Sequence, residues 1–114
     1  MTAGVRTVIY PVDDLARAKQ FFTVLTGAEP VADAPYYVQF DVAGQAVGLD
    51  PHGHRYGQAG PVAYWHVDDV PKSLAELVEA GAEVVQEPTD VGGGMLIAVA
   101  KDAEGNLIGL RPGA

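Results

Sequence analysis

Three histidines, His52, His54 and His66, are the residues of this 114-residue chain best suited to chemistry near neutral pH. An imidazole can take, give or relay a proton there, or hold a metal through one ring nitrogen. His52-Gly53-His54 sets two such rings one residue apart, within a stretch from Asp50 to Gly60 that has three glycines, one proline and no apolar period. That stretch reads as a linker or a functional loop, and it is weak as a metal motif. With Tyr56, Arg55 would make it a lid, and Arg55 is the cation best placed to meet an anionic ligand. The alternative is a solvated connection. His66 differs because it ends the strand-like run Val62-Ala63-Tyr64-Trp65-His66-Val67. Strand alternation puts Val62, Tyr64 and His66 on one face and leaves Ala63, Trp65 and Val67 to pack under helices. His66 is therefore the candidate general base, against the alternative of a strand-end imidazole bonded to backbone. Tyr64 is either a ring for stacking on a flat ligand or cavity filling.

Other chemistries lose support by residue type. There is no cysteine, which removes thiolate zinc sites, cysteine nucleophiles and disulfides. Ser73 is the only serine and lies on a predicted helix among charged neighbours, so a hydrolase triad has no basis. Gly92-Gly93-Gly94 is followed by neither Lys-Ser/Thr nor a helix pattern, and reads as a turn.

The elements that must position these residues come in a repeated order. Thr7 to Val12 is β-branched and aromatic; Asp13-Asp14 then suits a helix N-terminus, and Leu15, Ala18, Phe21, Phe22 and Leu25 form a helical stripe ending at Gly27. Extended stretches follow at 29–32, 36–42 and 46–49. After the loop, a strand at 62–67 leads through Asp68-Asp69 into a helix with Val70, Leu74, Leu77 and Val78 on one face. Gly81 closes it, and strands follow at 83–86, 95–100 and 107–110. Val12-Asp13-Asp14-Leu15 returns as Val67-Asp68-Asp69-Val70 at an offset of 55. Gly27-Ala28-Glu29 returns as Gly81-Ala82-Glu83 at 54, and Gly48-Leu49-Asp50-Pro51 as Gly109-Leu110-Arg111-Pro112 at 61. Capping preferences alone could produce single words, but three words in the same order argue for duplication. The expectation is one domain over 1–114: a first βαβββ module at about 4–50, a linker at 51–60 and a second module at about 61–112.

A tandem βαβββ pattern with Val-Asp-Asp-Leu entering the first helix, Gly-Ala-Glu leaving it and Asp102-Ala103-Glu104-Gly105-Asn106-Leu107-Ile108 near the end resembles the vicinal oxygen chelate superfamily. Glyoxalase I, bleomycin resistance proteins and extradiol dioxygenases belong to it. The resemblance implies an α+β fold in which the modules form an open, curved eight-stranded mixed sheet with the helices outside and the ligand on the concave surface. It also implies a homodimer. The metal enzymes of that family carry ligands at the start of the first strand and on the last strand of each module, positions that correspond here to Thr7, Gly48, Val62 and Gly109. None of these is a usual ligand, which argues against glyoxalase I or dioxygenase activity. The glycines either widen the pocket or accommodate a close backbone approach or twist.

The first reading is accordingly a binder of a small organic molecule that needs no metal or other cofactor. Its ligand-binding residues would be Tyr37, Gln39, Asp41, Gly48, Asp50, His54, Arg55, Tyr64, His66 and Gly109. The second is a metal-independent lyase or isomerase in which His66 is the catalytic base, assisted by Asp41 or Asp50. The third is a metal-dependent glyoxalase- or dioxygenase-like enzyme with displaced ligands drawn from His52, His54, His66 and Asp50. With 15 acidic and 7 basic side chains, a net charge of −8 disfavours nucleic acid and anionic membranes as partners. The N-terminus lacks the apolar core of a signal peptide, so the expected location is cytoplasmic.

Overall fold

The computed structural model describes residues 2–52 and 60–113. Their elements run β1 (Thr2–Pro11), α1 (Leu15–Thr26), β2 (Ala32–Ala34), β3 (Tyr37–Val42), β4 (Gln45–Asp50), β5 (Val62–Val67), α2 (Val70–Glu79), β6 (Glu83–Asp90), β7 (Leu96–Lys101) and β8 (Leu107–Pro112). Two compact units result. One spans Arg6–Pro61; the other spans Val62–Ala114 and includes Met1–Val5. Among the described residues no helix is long and apolar enough to cross a membrane.

Both units have the same plan. In the first, β1 pairs in parallel with β4, β4 pairs antiparallel with β3, and β3 antiparallel with β2. In the second, β5 pairs in parallel with β8, β8 antiparallel with β7, and β7 antiparallel with β6. The eight strands and two helices are thus two βαβββ copies, as the repeated words require. The second Asp of each acidic pair makes the helix start. Asp14 accepts from Arg17 N at 3.0 Å and Asp69 from Lys72 N at 3.1 Å, each quenching an N–H that has no partner inside its helix. Helix α1 ends on Gly27 in the left-handed conformation, φ 67°, with its N–H returning to Thr23 O.

The cores lie between each helix and one face of its strands. In the first unit Val38, Phe40 and Leu49 are buried and packed by Tyr10, Leu15, Ala18 and Phe22. The Phe22 ring bridges Tyr10 and Phe40, with centroids 5.0 and 6.5 Å away. In the second, Val67, Val70, Leu74, Ala98, Ala100 and Leu110 form the buried cluster. The turn between β7 and β8 is organised by Asp102, whose carboxylate accepts from Asn106 Nδ2, Asn106 N and Glu104 N. The Asn106 side-chain bond, followed by the Asn106 backbone N–H, holds that carboxyl below its ordinary pKa.

Three expectations are corrected. Phe21 and Leu25 are 63% and 67% exposed, because the stripe that reaches the sheet is Leu15, Ala18 and Phe22, and one residue of rotation carries Phe21 off it. Trp65 does not pack under a helix but is 40% exposed, since α2 lies mainly over β6, β7 and β8. The first edge strand is at 32–34, not 29–32, and β6 runs on through Pro88 to Asp90. A proline is tolerated there because β6 is the last strand in its unit's order and can lose an N–H on its outer side.

Candidate functional site

Register decides which side chains share the face of each sheet turned away from its helix. In the first unit that face carries Tyr37, Gln39 and Asp41 on β3, joined in a chain along the strand. The Tyr37 hydroxyl donates to Gln39 Oε1 at 3.1 Å, and Gln39 Nε2 donates to Asp41 Oδ1 at 2.9 Å. Gly48 lies beside them, paired with Gln39 on one side and Ile9 on the other. Asp50 closes the row but faces local work: its carboxylate accepts from His52 N at 2.7 Å. His54 and Arg55 lie outside the described residues.

In the second unit one transverse row runs Tyr64, Gly109, Val99, Gln86 across β5, β8, β7 and β6. Tyr64, Val99 and Gln86 are all buried, at 2%, 0% and 6% exposure. One step along, His66 is the register partner of Arg111, and both are half-buried. The backbone at His66 is pinned from two sides. Thr2 Oγ1 donates to His66 O at 2.7 Å, and Gly113 N donates to Val67 O at 3.3 Å. A Cβ on Gly113 would stand 3.2 Å from His66 Nδ1, so a side chain there would crowd the ring.

Alternation finds Tyr37, Gln39, Asp41, Tyr64 and His66, but Arg111 and Gln86 were not anticipated. The signal for Arg111 was available, since it stands two residues beyond Gly109 and so shares its face. For Gln86 there was none. Val84 pairs with Ala100 on the helix side, whereas Gln86 pairs with Val99 on the other side, with an irregularity between them. A β-bulge has turned Gln86 over, and simple alternation from Val84 would have sent it to the helix.

The two glycines do not open space. A Cβ on Gly109 would stand 2.5 Å from Cδ1 and 2.7 Å from Cγ of Tyr64, and one on Gly48 would stand 2.3 Å from the Tyr37 hydroxyl. A tyrosine ring therefore lies over each glycine. The rings arrive from different strands: Tyr64 from β5, directly beside Gly109, and Tyr37 from β3, two residues from Gly48's partner Gln39. The expected widening does not arise, and what approaches each glycine is a side chain and not the backbone.

This bears on the metal that the resemblance implies. Of Thr7, Gly48, Val62 and Gly109, only Thr7 offers a side-chain donor, a hydroxyl, and the space into which a longer side chain would grow from either glycine is filled by an aromatic ring. That donor set does not fit a divalent ion. Among the described residues no group of three or more His, Cys, Asp or Glu side chains is arranged to hold one.

Comparison with known proteins agrees with the repeat. A family model described as the Glyoxalase/Bleomycin resistance protein/Dioxygenase superfamily matches residues 4–110. No curated protein matches the chain in sequence. Among solved structures, an NAD-dependent benzaldehyde dehydrogenase from Legionella pneumophila is 17% identical with a TM-score of 0.76, over 93% of this chain and 96% of that one. A glyoxalase/bleomycin resistance protein/dioxygenase superfamily member from Vibrio splendidus is 18% identical with a TM-score of 0.69, over 98% of both chains. The Mn(II)-bound glyoxalase from Novosphingobium aromaticivorans is 22% identical with a TM-score of 0.67, over 97% of this chain but only 39% of that one. At these identities the likeness is one of fold.

Proposed function

The chain belongs to the glyoxalase/bleomycin resistance protein/dioxygenase superfamily, and from that premise we propose that it binds a small organic molecule without a metal. The supporting observation is the glycine under a tyrosine ring at the last-strand position of each unit. Where the metal enzymes extend a ligand, this chain has an aromatic ring filling the space. The ligand would lie on the helix-free face of the second unit, beside the half-buried His66 and Arg111. Arg111 contributes a fixed positive charge there, in a protein of net charge −8. A ligand carrying one negative charge would be drawn to that point and repelled from most of the remaining surface.

A thermal-shift screen of small aromatic and amphipathic compounds in the presence of EDTA tests the reading. The expected result is one or more compounds that raise Tm, with the rise lost in Arg111→Met or His66→Ala. A rise seen only after a divalent metal is added would contradict it. The pairing of His66 with Arg111 also favours a second reading, a metal-independent lyase or isomerase with His66 as general base. Mass spectrometry of the bound compound separates the two: a product that forms with the wild type and not with His66→Ala identifies the enzyme, whereas an unchanged compound identifies the binder.

A further inference from the structure

Helix α1 is apolar on two sides. Leu15, Ala18 and Phe22 pack on the strands, while Phe21, Val24 and Leu25 are 63%, 85% and 67% exposed. Spacings of three and four residues gather those three on one outer stripe. A shallow groove of about 430 Å³ runs beside it, lined by Ala16, Lys19, Gln20, Thr23 and Val24. A helix that is apolar all round is ordinarily covered all round. The second unit shows the same helix with a solvated outer side. At the offset of 55 that relates Val12-Asp13-Asp14-Leu15 to Val67-Asp68-Asp69-Val70, Phe22 returns as Leu77, which packs on the core. Phe21 and Val24 return instead as Glu76 and Glu79, both exposed. The inward positions stay apolar in both helices, and the outward ones are charged in α2 and apolar in α1.

We propose that this outer face of α1 is an interface between two copies of the chain, packed antiparallel about a two-fold axis with Phe21 of one copy against Val24 of the other. Area and charge both select a second copy as the occupant. The stripe and its groove offer roughly 500 Å², so two copies would bury about 1,000 Å² in total, the lower bound for a specific interface and the size of a reversible one. Arg17 stands one turn before Phe21 on the same stripe, and Glu29 stands just past the Gly27 cap; both are exposed. The last turn of α1 has no basic residue of its own. An antiparallel crossing brings each Arg17 to the carboxyl end of the other helix and to the partner's Glu29, so the face complements itself. This surface is independent of the ligand face proposed above, and its test needs no ligand.

Sedimentation velocity from micromolar to millimolar protein reads the mass. The wild type is expected to rise from 11.9 kDa toward twice that value. Because the interface is weak, stability measured at low micromolar concentration reports the monomer, in which Phe21 is exposed. Val24→Lys should hold the protein at 11.9 kDa throughout. A cation in the last turn favours a helix, so Tm of the monomer should not fall, and loss of the dimer is thereby separated from loss of the fold. Phe21→Glu, which installs the residue that α2 carries at this place, should act the same way. Arg17→Glu should raise Kd roughly tenfold, and Arg17→Glu combined with Glu29→Arg should return it close to the wild-type value. A wild type that stays at 11.9 kDa at every concentration overturns the proposal. A dimer that persists in Val24→Lys puts the interface elsewhere, such as on a strand edge, and overturns it as well. Growth past two copies, or a double variant that fails to recover, overturns the antiparallel two-fold arrangement.

Discussion

Gly109→Ala is expected to be among the most damaging single substitutions in this chain, because the methyl group would land 2.5 Å from Cδ1 and 2.7 Å from Cγ of Tyr64. Those atoms lie at the root of a ring that is 2% exposed, and a ring root cannot move without its backbone. The cost should reach the upper end of the roughly 1–3 kcal/mol typical of overpacking, or exceed it. Gly48→Ala provides the contrast. There the close atoms are the hydroxyl and the outer carbons of Tyr37, a half-buried ring that can swing outward at the expense of its bond to Gln39. That substitution should cost about 1 kcal/mol, the worth of an ordinary hydrogen bond. Urea denaturation of both variants measures the difference. In a Tyr64→Leu background the penalty of Gly109→Ala should shrink, since the two positions act through one contact. Equal penalties at the two glycines, or no coupling to Tyr64, would mean that the rings do not occupy the space above them.

Phe40→Ala should be comparably severe for the opposite reason, a void in place of a clash. Phe40 is fully buried and sits against the Phe22 ring in the core of the first unit, so truncation should cost about 3–5 kcal/mol. Phe21→Ala on the same helix surface should be nearly neutral, because Phe21 is 63% exposed. The pair separates burial from aromatic character. Thermal or urea denaturation that ranks Phe21→Ala with Phe40→Ala would contradict the packing of α1 described here.

The duplicated plan was legible in the residues because its signals are local. Asp14 and Asp69 cap helices for reasons contained in a few consecutive positions, and the βαβββ order follows from where apolar periods start and stop. The helix-free face was legible as far as alternation holds, which covers Tyr37, Gln39, Asp41, Tyr64 and His66. It failed where register changes. Gln86 is turned to that face by an inserted residue, and no single-chain pattern marks which strand will bulge. Helix α1 was misjudged because an apolar residue advertises a buried face without stating how far the sheet beneath it extends. Trp65 was misjudged likewise, since which strands a helix covers is decided by tertiary packing. The glycines show a third limit. Gly48 and Gly109 announce a close approach, but only coordinates tell whether open space or a tyrosine ring is what approaches.

The central claim is that the last-strand glycines and their tyrosines leave this chain unable to hold the family's divalent ion. The most direct measurement is elemental analysis of the protein after dialysis against Mn(II) and desalting. The structure predicts far less than one ion per chain, with no difference between wild type and His66→Ala. One ion per chain in the wild type, lost in His66→Ala, would contradict the claim and assign the site to metal chemistry through displaced ligands.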